Sequence, residues 1–495
     1  MIKKFLKKIK KHPAFIFFIL DIFLIVLASY LAFLLKFDAQ IPTTRLTNFF
    51  AFIILALAIT PIVFYFFNLY RISWSYVSLT DLPTIGRGVV ASVLLIGTVL
   101  YFFRNHPYVY KYFLGFPRSV IFIYGILLLF LISLLRFSKR IYWQLIRSKT
   151  GVLRVKDYEF PLTSKVLNEN QIKNILVTGG AGYIGSVLVR KLIKAGYKVK
   201  VIDKLLFGAK PVRKLKSSPN FTLVQGDILD TDLLKKMLVD VDAVVHLAAI
   251  VGEPACLSKK DIALKTNYLG TIYLARLCKA YGIKKFIYTS TCSTYGQQEE
   301  KDFLKEKSQL RPVDFYGETK IYAEREIMKL MDKDFAPTIL RFSTIYGLSP
   351  RMRFDLVVNA LTKKAVKDKE IFIFGGDQWR PLAHVDDIAR AIFLVLRSPL
   401  SKVGNQVFNV GGNKENYLIS QVGDLVKECI PGIKVETVDK IDDKRSYQVD
   451  FSKIEKTLGF KTKKTVKDGI IEINNAIKEG RFDDLEDKIY YNHLV

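Results

Sequence analysis

The 495-residue chain has little cysteine, and acidic residues are scarce in its first third. Residues 1–171 hold 6 Asp and Glu against 21 Lys and Arg, whereas the rest of the chain mixes both signs. With 50% hydrophobic residues and a mean hydropathy of +0.20, the composition excludes a disordered chain and admits a membrane protein. The cysteines have no metal-ligand spacing and no disulfide pattern, so we expect no metal and reduced thiols at Cys256, Cys278, Cys292 and Cys429.

The basic excess, which gives a formal net charge of +29, lies largely beside apolar segments. Four such segments cover residues 14–35, 49–67, 88–103 and 119–135. The first two approach the ~20 residues that cross a bilayer as a helix. The last two are shorter, and buried or re-entrant helices are the alternative for them. We predict four transmembrane helices within residues 1–149, with flanking cations that face anionic lipid, and we expect no binding to nucleic acid.

The flanking charges predict the orientation of these helices. Six lysines precede the first segment, and five basic residues lie between residues 136 and 149, after the fourth. Because cytoplasmic loops carry the excess of Lys and Arg, we expect both ends in the cytoplasm and the protein in the inner (cytoplasmic) membrane. Asp21, within the first segment, is a candidate functional residue by default, or it faces headgroups or a neighbouring helix.

After a short connector at residues 150–171, the pattern changes to short β-branched strands that alternate with amphipathic helices. This alternation predicts an α/β domain with a doubly wound parallel sheet over residues 172–495. Residues 172–178 and 198–202 are predicted strands, and residues 186–195 are a predicted helix. The sequence GGAGYIG stands between the first strand and this helix.

The glycine-rich turn predicts a dinucleotide site, because glycines let the backbone approach a pyrophosphate at a helix N-terminus. Asp203 follows the second strand, where a carboxylate binds the hydroxyls of the adenosine ribose. Its charge repels a 2′-phosphate, so NAD is favoured over NADP, although Lys204 beside it weakens that preference. The loop residues expected to contact the cofactor are Gly179, Gly182, Tyr183, Ile184 and Gly185.

Several motifs agree in order and spacing with a known family: TGGAGYIG at 178–185, GD at 226–227, HLAA at 246–249, NYLGT at 267–271, YTSTCSTYG at 288–296, YGETK at 316–320, LRFSTIYG at 340–347 and RPLAHVDDIA at 380–389. On these motifs, residues 172–460 resemble the extended short-chain dehydrogenase/reductases, in particular the NAD-dependent nucleotide-sugar epimerase/dehydratase family with its Rossmann-type fold. The resemblance implies a small C-terminal substrate lobe, mainly from about 345–370 and 399–460, and homodimers, which are common in the family. It also implies further cofactor contacts from Asp227, Ile228, Leu247, Ala248, Ala249 and Asn267.

Tyr316 and Lys320 are spaced to lie one turn apart on one face of a helix. A nearby ammonium favours the phenolate, lowers the pKa of a tyrosine towards neutral pH and so makes it a general base. The resemblance implies that Tyr316 removes the proton of a sugar hydroxyl, usually at C4, while hydride passes to NAD. It also implies that Lys320 holds the nicotinamide ribose and that Thr291 shares the hydrogen bond to the reacting oxygen.

Arginines are expected on the substrate side of the site, because the planar guanidinium pairs with phosphate oxygens. By the resemblance, the segments that contact a nucleotide-sugar diphosphate in relatives hold Arg351, Arg353, Arg380 and Arg445. A solvated surface arginine is the alternative for each. Glu253, shortly after the HLAA motif, is a further candidate that faces the sugar.

The resemblance leaves several reactions open, because the family's reactions share a 4-keto sugar. Dehydratases of the family carry Asp and Glu directly after the catalytic Thr, whereas Cys292 and Ser293 stand there in this chain. Reductases usually prefer NADPH, which Asp203 disfavours. The sequence therefore favours a nucleotide-sugar 4-epimerase, with a 4,6-dehydratase, a 4-keto-sugar reductase and a non-catalytic membrane-tethered dinucleotide sensor as alternatives.

The N-terminal part has a resemblance of its own. Residues 1–148 are similar to the four-span anchor of bacterial membrane-bound polysaccharide-biosynthesis dehydratases, including FPRSV at 116–120. This similarity implies a role in surface polysaccharide or glycan biosynthesis. The expected partners are therefore the lipid bilayer and a nucleotide-sugar substrate.

Overall fold

The structure is a computed structural model that describes residues 13–67, 69–71, 82–103, 106, 109, 112, 115–149, 172–297, 302–438, 443 and 445–494. The predicted connector at 150–171 and the N-terminal lysines lie outside these described residues. The chain divides into two compact units, Met1–Tyr158 and Glu159–Val495, and each is described by itself.

The first unit contains four long apolar helices: α1 (Pro13–Lys36), α2 (Leu46–Phe66), α3 (Leu82–Phe103) and α4 (Ser119–Lys149). Among the described residues, these four are long and apolar enough to cross a membrane. The third helix starts earlier than its predicted segment, because Arg87 ended the uncharged run in the sequence but does not interrupt the helix. The four apolar helices predicted from the sequence are therefore confirmed as helices of membrane-spanning length.

Asp21 of α1 forms a buried ion pair with Arg136 of α4. The distance between Arg136 Nη2 and Asp21 Oδ2 is 2.7 Å, and both side chains are buried. The sequence left open whether Asp21 faces headgroups or a neighbouring helix, and in the structure it faces a neighbouring helix. Because a buried charge is costly without a partner, this pair ties the first helix of the bundle to the fourth.

The second unit contains twelve strands among the described residues. They are β1 (Asn174–Thr178), β2 (Lys198–Asp203), β3 (Phe221–Gln225), β4 (Ala243–His246), β5 (Lys285–Thr291), β6 (Thr338–Phe342), β7 (Thr344–Tyr346), β8 (Glu370–Phe374), β9 (Trp379–His384), β10 (Gln406–Val410), β11 (Asn416–Leu418) and β12 (Lys434–Val438). Seven of them form a parallel sheet in the order β10-β6-β5-β4-β1-β2-β3. This order is that of a Rossmann-type fold with one added strand, so the predicted fold class is confirmed.

Helices cover both faces of this sheet, as a parallel sheet requires. The described residues of the unit form the helices α5 (Gly185–Lys194), α6 (Thr231–Leu238), α7 (Glu253–Ser258), α8 (Lys260–Leu264), α9 (Thr271–Ala280), α10 (Phe315–Lys329), α11 (Val357–Asp368), α12 (Val385–Arg397), α13 (Leu400–Val403), α14 (Ile419–Cys429), α15 (Ser452–Leu458) and α16 (Val466–Lys478), of which α11, α14 and α16 belong to the smaller lobe. Val177, Val201 and Val245 of the central strands are buried against Leu188 of α5, which explains the β-branched runs in the sequence.

A smaller lobe packs beside the large sheet. It contains the three-stranded sheet β11-β9-β7 and the parallel pair β8 and β12. Its core joins α11, α14 and α16 through residues such as Val358, Val422 and Ile470. The predicted lobe segment 399–460 differs from this arrangement at two points: β10 belongs to the large sheet, and α16 follows residue 460.

Candidate active site

A cavity of about 830 Å³ opens at the carboxyl ends of the parallel strands. It lies where the strand order reverses between β1 and β4, which is where open α/β sheets bind their ligands. The turn from β1 to α5, the end of β2, the loop after β4, the end of β5 and the start of α10 all contribute lining residues. The fold thus brings motifs that are far apart in the sequence to one cavity.

The glycine-rich turn can pack closely against itself and against the loop after β4 only because its glycines lack side chains. Gly179 has a φ of +71°, and a Cβ atom there would lie 2.7 Å from the backbone nitrogen of Ala248. A Cβ atom at Gly185 would lie 2.3 Å from the carbonyl oxygen of Gly179. Gly182, Tyr183 and Ile184 line the cavity beside them, at the N-terminus of α5, where free N–H groups favour a phosphate.

Asp203 ends β2 and lines the cavity. Its carboxylate accepts hydrogen bonds from the backbone N–H of Ala181 (2.9 Å) and of Leu205 (2.8 Å), which fix its direction. Burial raises its pKa above the usual range. The ammonium of Lys204 lies 2.9 Å from the carboxylate of Asp227. Asp227 and Ile228 both line the cavity. Lys204 therefore pairs with Asp227 and not with Asp203, and the site fits NAD.

The loop after β4 contains three of the residues that the resemblance implies as cofactor contacts. Leu247, Ala248 and Ala249 all face the cavity. Asn267 does not belong to the lining, because it is buried with its amide bonded to both backbone groups of Ile250, at 2.8 and 2.9 Å. Its Nδ2 atom also donates to Thr319 of α10 (3.2 Å), so Asn267 joins this loop to the helix.

Thr291, Tyr316 and Lys320 meet in the lining of the cavity, Thr291 at the end of β5 and the other two on α10. The ammonium of Lys320 donates to the carbonyl oxygen of Thr289 (2.7 Å) and lies 6.0 Å from the ring centroid of Tyr316. It also lies 4.8 Å from the ring centroid of Tyr288. The geometry brings together the three residues predicted to be catalytic.

Burial has the largest effect on the pKa values of Lys320 and Tyr316. It lowers the pKa of Lys320 to about 8, although the carboxylate of Glu324 acts in the opposite direction. It raises the pKa of Tyr316 well above its usual value, so the expected lowering by Lys320 does not prevail in the structure. Because burial disfavours the charged form of Tyr316, an ammonium nearby is needed to stabilise its phenolate.

Two carboxylates hold the start of α10. Asp314 is its N-cap and accepts from the backbone N–H of Gly317 (2.7 Å). Glu253, which was predicted to face the sugar, lines the cavity but accepts from the backbone N–H of Tyr316 (3.0 Å). Because the free N–H groups of a helix start favour negative charge, both residues fix the turn that carries Tyr316.

The four predicted arginines all line the cavity but form two groups. Arg380 and Arg445 both pair with Asp443, at 2.9 and 2.5 Å, and Arg445 also lies 3.3 Å from Asp314. This first group therefore stands beside the start of α10. Sequence reasoning missed Asp443 and Asp314, because an acidic residue carries no motif that predicts which arginine it will meet.

Arg351 and Arg353 form the second group. Arg353 makes a two-pronged pair with Asp355 (2.9 and 3.0 Å). The guanidinium of Arg351 stacks 3.7 Å above the ring centroid of Phe207, and its Nη2 atom donates to Asn492 (2.6 Å). Sequence reasoning also missed the C-terminal residues of the lining, because they lie beyond the last family motif; they are Tyr491, Asn492 and His493.

Fold and site together define a Rossmann-type dinucleotide-dependent enzyme of the short-chain dehydrogenase/reductase kind. Residues 175–411 match the model of the NAD dependent epimerase/dehydratase family. The chain belongs to this family, whose cofactor is NAD.

Known proteins of the family similar to this chain include both epimerases and dehydratases. The UDP-glucuronate 4-epimerase of Thermodesulfobacterium geofontis is 32% identical over 61% of this chain and 96% of its own length. A trifunctional UDP-glucose 4,6-dehydratase/UDP-4-keto-6-deoxy-D-glucose 3,5-epimerase/UDP-4-keto-L-rhamnose-reductase of Arabidopsis thaliana is 33% identical over 52% of this chain and 39% of its own. The structure of the UDP-glucuronic acid 4-epimerase of Bacillus cereus, in complex with UDP-glucuronic acid and NAD, is 30% identical, with a TM-score of 0.56 over 62% of this chain and 99% of its own.

Proposed function

We propose that the protein is a membrane-anchored, NAD-dependent nucleotide-sugar 4-epimerase that acts through a transient 4-keto sugar in surface polysaccharide or glycan biosynthesis. The observation that carries this proposal is the meeting of Thr291, Tyr316 and Lys320 at a cavity that also holds Asp203. NAD, when bound in this cavity, would supply a hydride acceptor and donor for the sugar carbon whose configuration changes. Tyr316, once deprotonated, takes the proton of the sugar hydroxyl and gives it back after the keto sugar has rotated.

The residues after Thr291 support epimerisation over dehydration. Elimination of water needs a second acid and base, and Cys292 offers neither near neutral pH. Its thiol is buried, donates to the carbonyl oxygen of Arg341 and has a pKa raised by burial. Ser293 carries a hydroxyl that accepts from Arg445 (3.3 Å), and a hydroxyl is a poor base.

The helices α1 to α4 support anchoring in the cytoplasmic membrane. Basic residues flank the first and fourth apolar segments, which favours a cytoplasmic position for both ends and for the catalytic domain. The arginines of the cavity support an anionic nucleotide-sugar as the substrate.

We expect carbonate-washed membranes containing the protein to convert a nucleotide-sugar into an isomer of unchanged mass, with no net consumption of NAD. The test incubates them, and the detergent-purified protein, with UDP-, GDP- and dTDP-sugars, including UDP-glucuronate, and resolves products by mass and NMR. A product lighter by one water would favour the dehydratase, and stoichiometric use of NAD(P)H would favour the reductase. Absence of any turnover across the panel, with NAD bound, would favour the sensor.

The rate of epimerisation should fall above about pH 8, because Lys320 loses its proton there and no longer stabilises the phenolate of Tyr316. In Glu324→Gln the falling limb should move to lower pH, because the carboxylate that raises the pKa of Lys320 is gone. The measurement is the pH profile of kcat for both proteins. A Glu324→Gln profile that coincides with the wild-type profile, or moves to higher pH, would count against this role of Lys320.

A further inference from the structure

The C-terminal strap, residues 481–494, closes one side of the cavity. It follows α16 and contains one short 3-10 turn, Lys488–Tyr490. Its rings at Phe482 and Tyr490 pack against Phe354, with centroid distances of 5.2 and 5.4 Å. The backbone N–H of Phe354 donates to the carbonyl oxygen of Tyr490 (3.0 Å), so the strap is fixed to the segment that carries Arg351.

Asn492 of the strap connects three parts of the cavity wall. Its side-chain oxygen accepts from Arg351 Nη2 (2.6 Å), and its side-chain nitrogen donates to the carbonyl oxygen of Val251 (3.4 Å). Its backbone N–H donates to Asp355 (3.3 Å). Asn492 therefore holds Arg351 in one position relative to the loop after β4.

Arg351 lies on the cofactor side of the cavity. It stacks on Phe207, in the loop that follows β2, and its charge acts on the carboxylate of Asp203. Its side chain is 4% exposed, and its Nε atom has no hydrogen-bond partner among the described residues. A buried guanidinium with a free donor is suited to a phosphate oxygen.

We propose that Arg351 binds the diphosphate of the bound dinucleotide and that Asn492 positions it, so that the C-terminal strap controls how long the cofactor stays bound. This proposal rests on NAD as the cofactor and assigns Arg351 to NAD rather than to the nucleotide-sugar. The other three arginines remain for the substrate. Asn492 acts through Arg351 and is a positioning residue.

Replacement of Asn492 by leucine should accelerate release of NAD about tenfold, because a hydrogen bond to a charged group is lost. Release is measured without sugar, by loading the detergent-purified protein with radiolabelled NAD and chasing with excess unlabelled NAD. Asn492→Asp keeps the acceptor for Arg351 but loses the donor to Val251, so it should release NAD at a rate between those of the wild type and Asn492→Leu. Asn475→Leu, at an exposed asparagine of α16, is the matched control and should leave the rate unchanged.

Arg351→Gln should release NAD at least as fast as Asn492→Leu, and the double variant should be no faster than Arg351→Gln, because both changes remove one interaction. The proposal fails if Arg351→Gln releases NAD at the wild-type rate. This measurement tests the proposal even if Asn492→Leu does not fold. It also fails if the variants raise only the KM for the nucleotide-sugar. The release of NAD is measured without substrate. A lack of epimerisation would therefore contradict the proposed function but would not change the outcome of the release test for Arg351 and Asn492.

Discussion

Tyr316→Phe is expected to lower kcat by about 10³-fold and to leave NAD bound, because general-base catalysis contributes on the order of 10²–10⁴ in rate. The substitution removes one hydroxyl from a buried ring and leaves the backbone N–H that Glu253 accepts from. The measurement is turnover of the sugar identified in the panel, together with bound NAD read from absorbance.

Tyr288→Phe is the matched control for this experiment. Tyr288 is also buried, lies beside Lys320 and has a hydroxyl without a hydrogen-bond partner among the described residues, but it does not line the cavity. Removal of the Tyr288 hydroxyl should change kcat by less than about twofold, because the hydroxyl makes no hydrogen bond to the described residues that the substitution would break. If Tyr316→Phe kept more than a tenth of wild-type turnover, Tyr316 would not be the base.

Glu324→Ala should lower the free energy of unfolding of the catalytic domain by about 3–5 kcal/mol, because it leaves a buried charge without its partner. Glu324 lies on the same face of α10 as Tyr316 and Lys320. Its carboxylate pairs with Arg341 at 2.7 Å and accepts from the hydroxyl of Ser290, and the paired side chains are 5% and 6% exposed. Arg341 would then remain buried and charged beside Tyr295.

The loss is measured by chemical unfolding of the detergent-solubilised protein, followed by signals of the catalytic domain. Glu326→Ala is the control, because Glu326 pairs with the exposed Lys329 on the surface of the same helix and should cost less than about 1 kcal/mol. A joint replacement of Glu324 and Arg341 by methionine should cost less than Glu324→Ala alone. Equal losses for Glu324→Ala and Glu326→Ala would contradict the buried pair.

The sequence predicts the local parts of this fold closely. The first strand was predicted at 172–178 and is observed at Asn174–Thr178, and the helix after it was predicted at 186–195 and is observed at Gly185–Lys194. Such elements depend on periodicity and on glycine positions that can be seen within a short window. The three residues expected to be catalytic also line one cavity, because Thr291 ends β5, and Tyr316 and Lys320 lie near the start of α10.

Contacts between distant residues could not be predicted in this way. Asp21 stood out in the sequence as a charge within an apolar segment, but nothing there identified Arg136 as its partner. Asn492 meets Arg351 across 141 positions of the chain, and no motif covers the strap. The position of Glu253 at the start of α10 likewise depends on how two loops pack, which periodicity does not encode.

The strand β10 has a consequence for biosynthesis. It pairs with β6, but β7, α11, β8 and β9 of the small lobe come between these two strands in the chain. During synthesis, β6 therefore forms an open edge of the sheet until residues 406–410 have left the ribosome. An unpaired edge strand is a template for pairing with another chain. The nascent protein thus passes through a stage in which that edge is open to pairing with another chain until β10 is added.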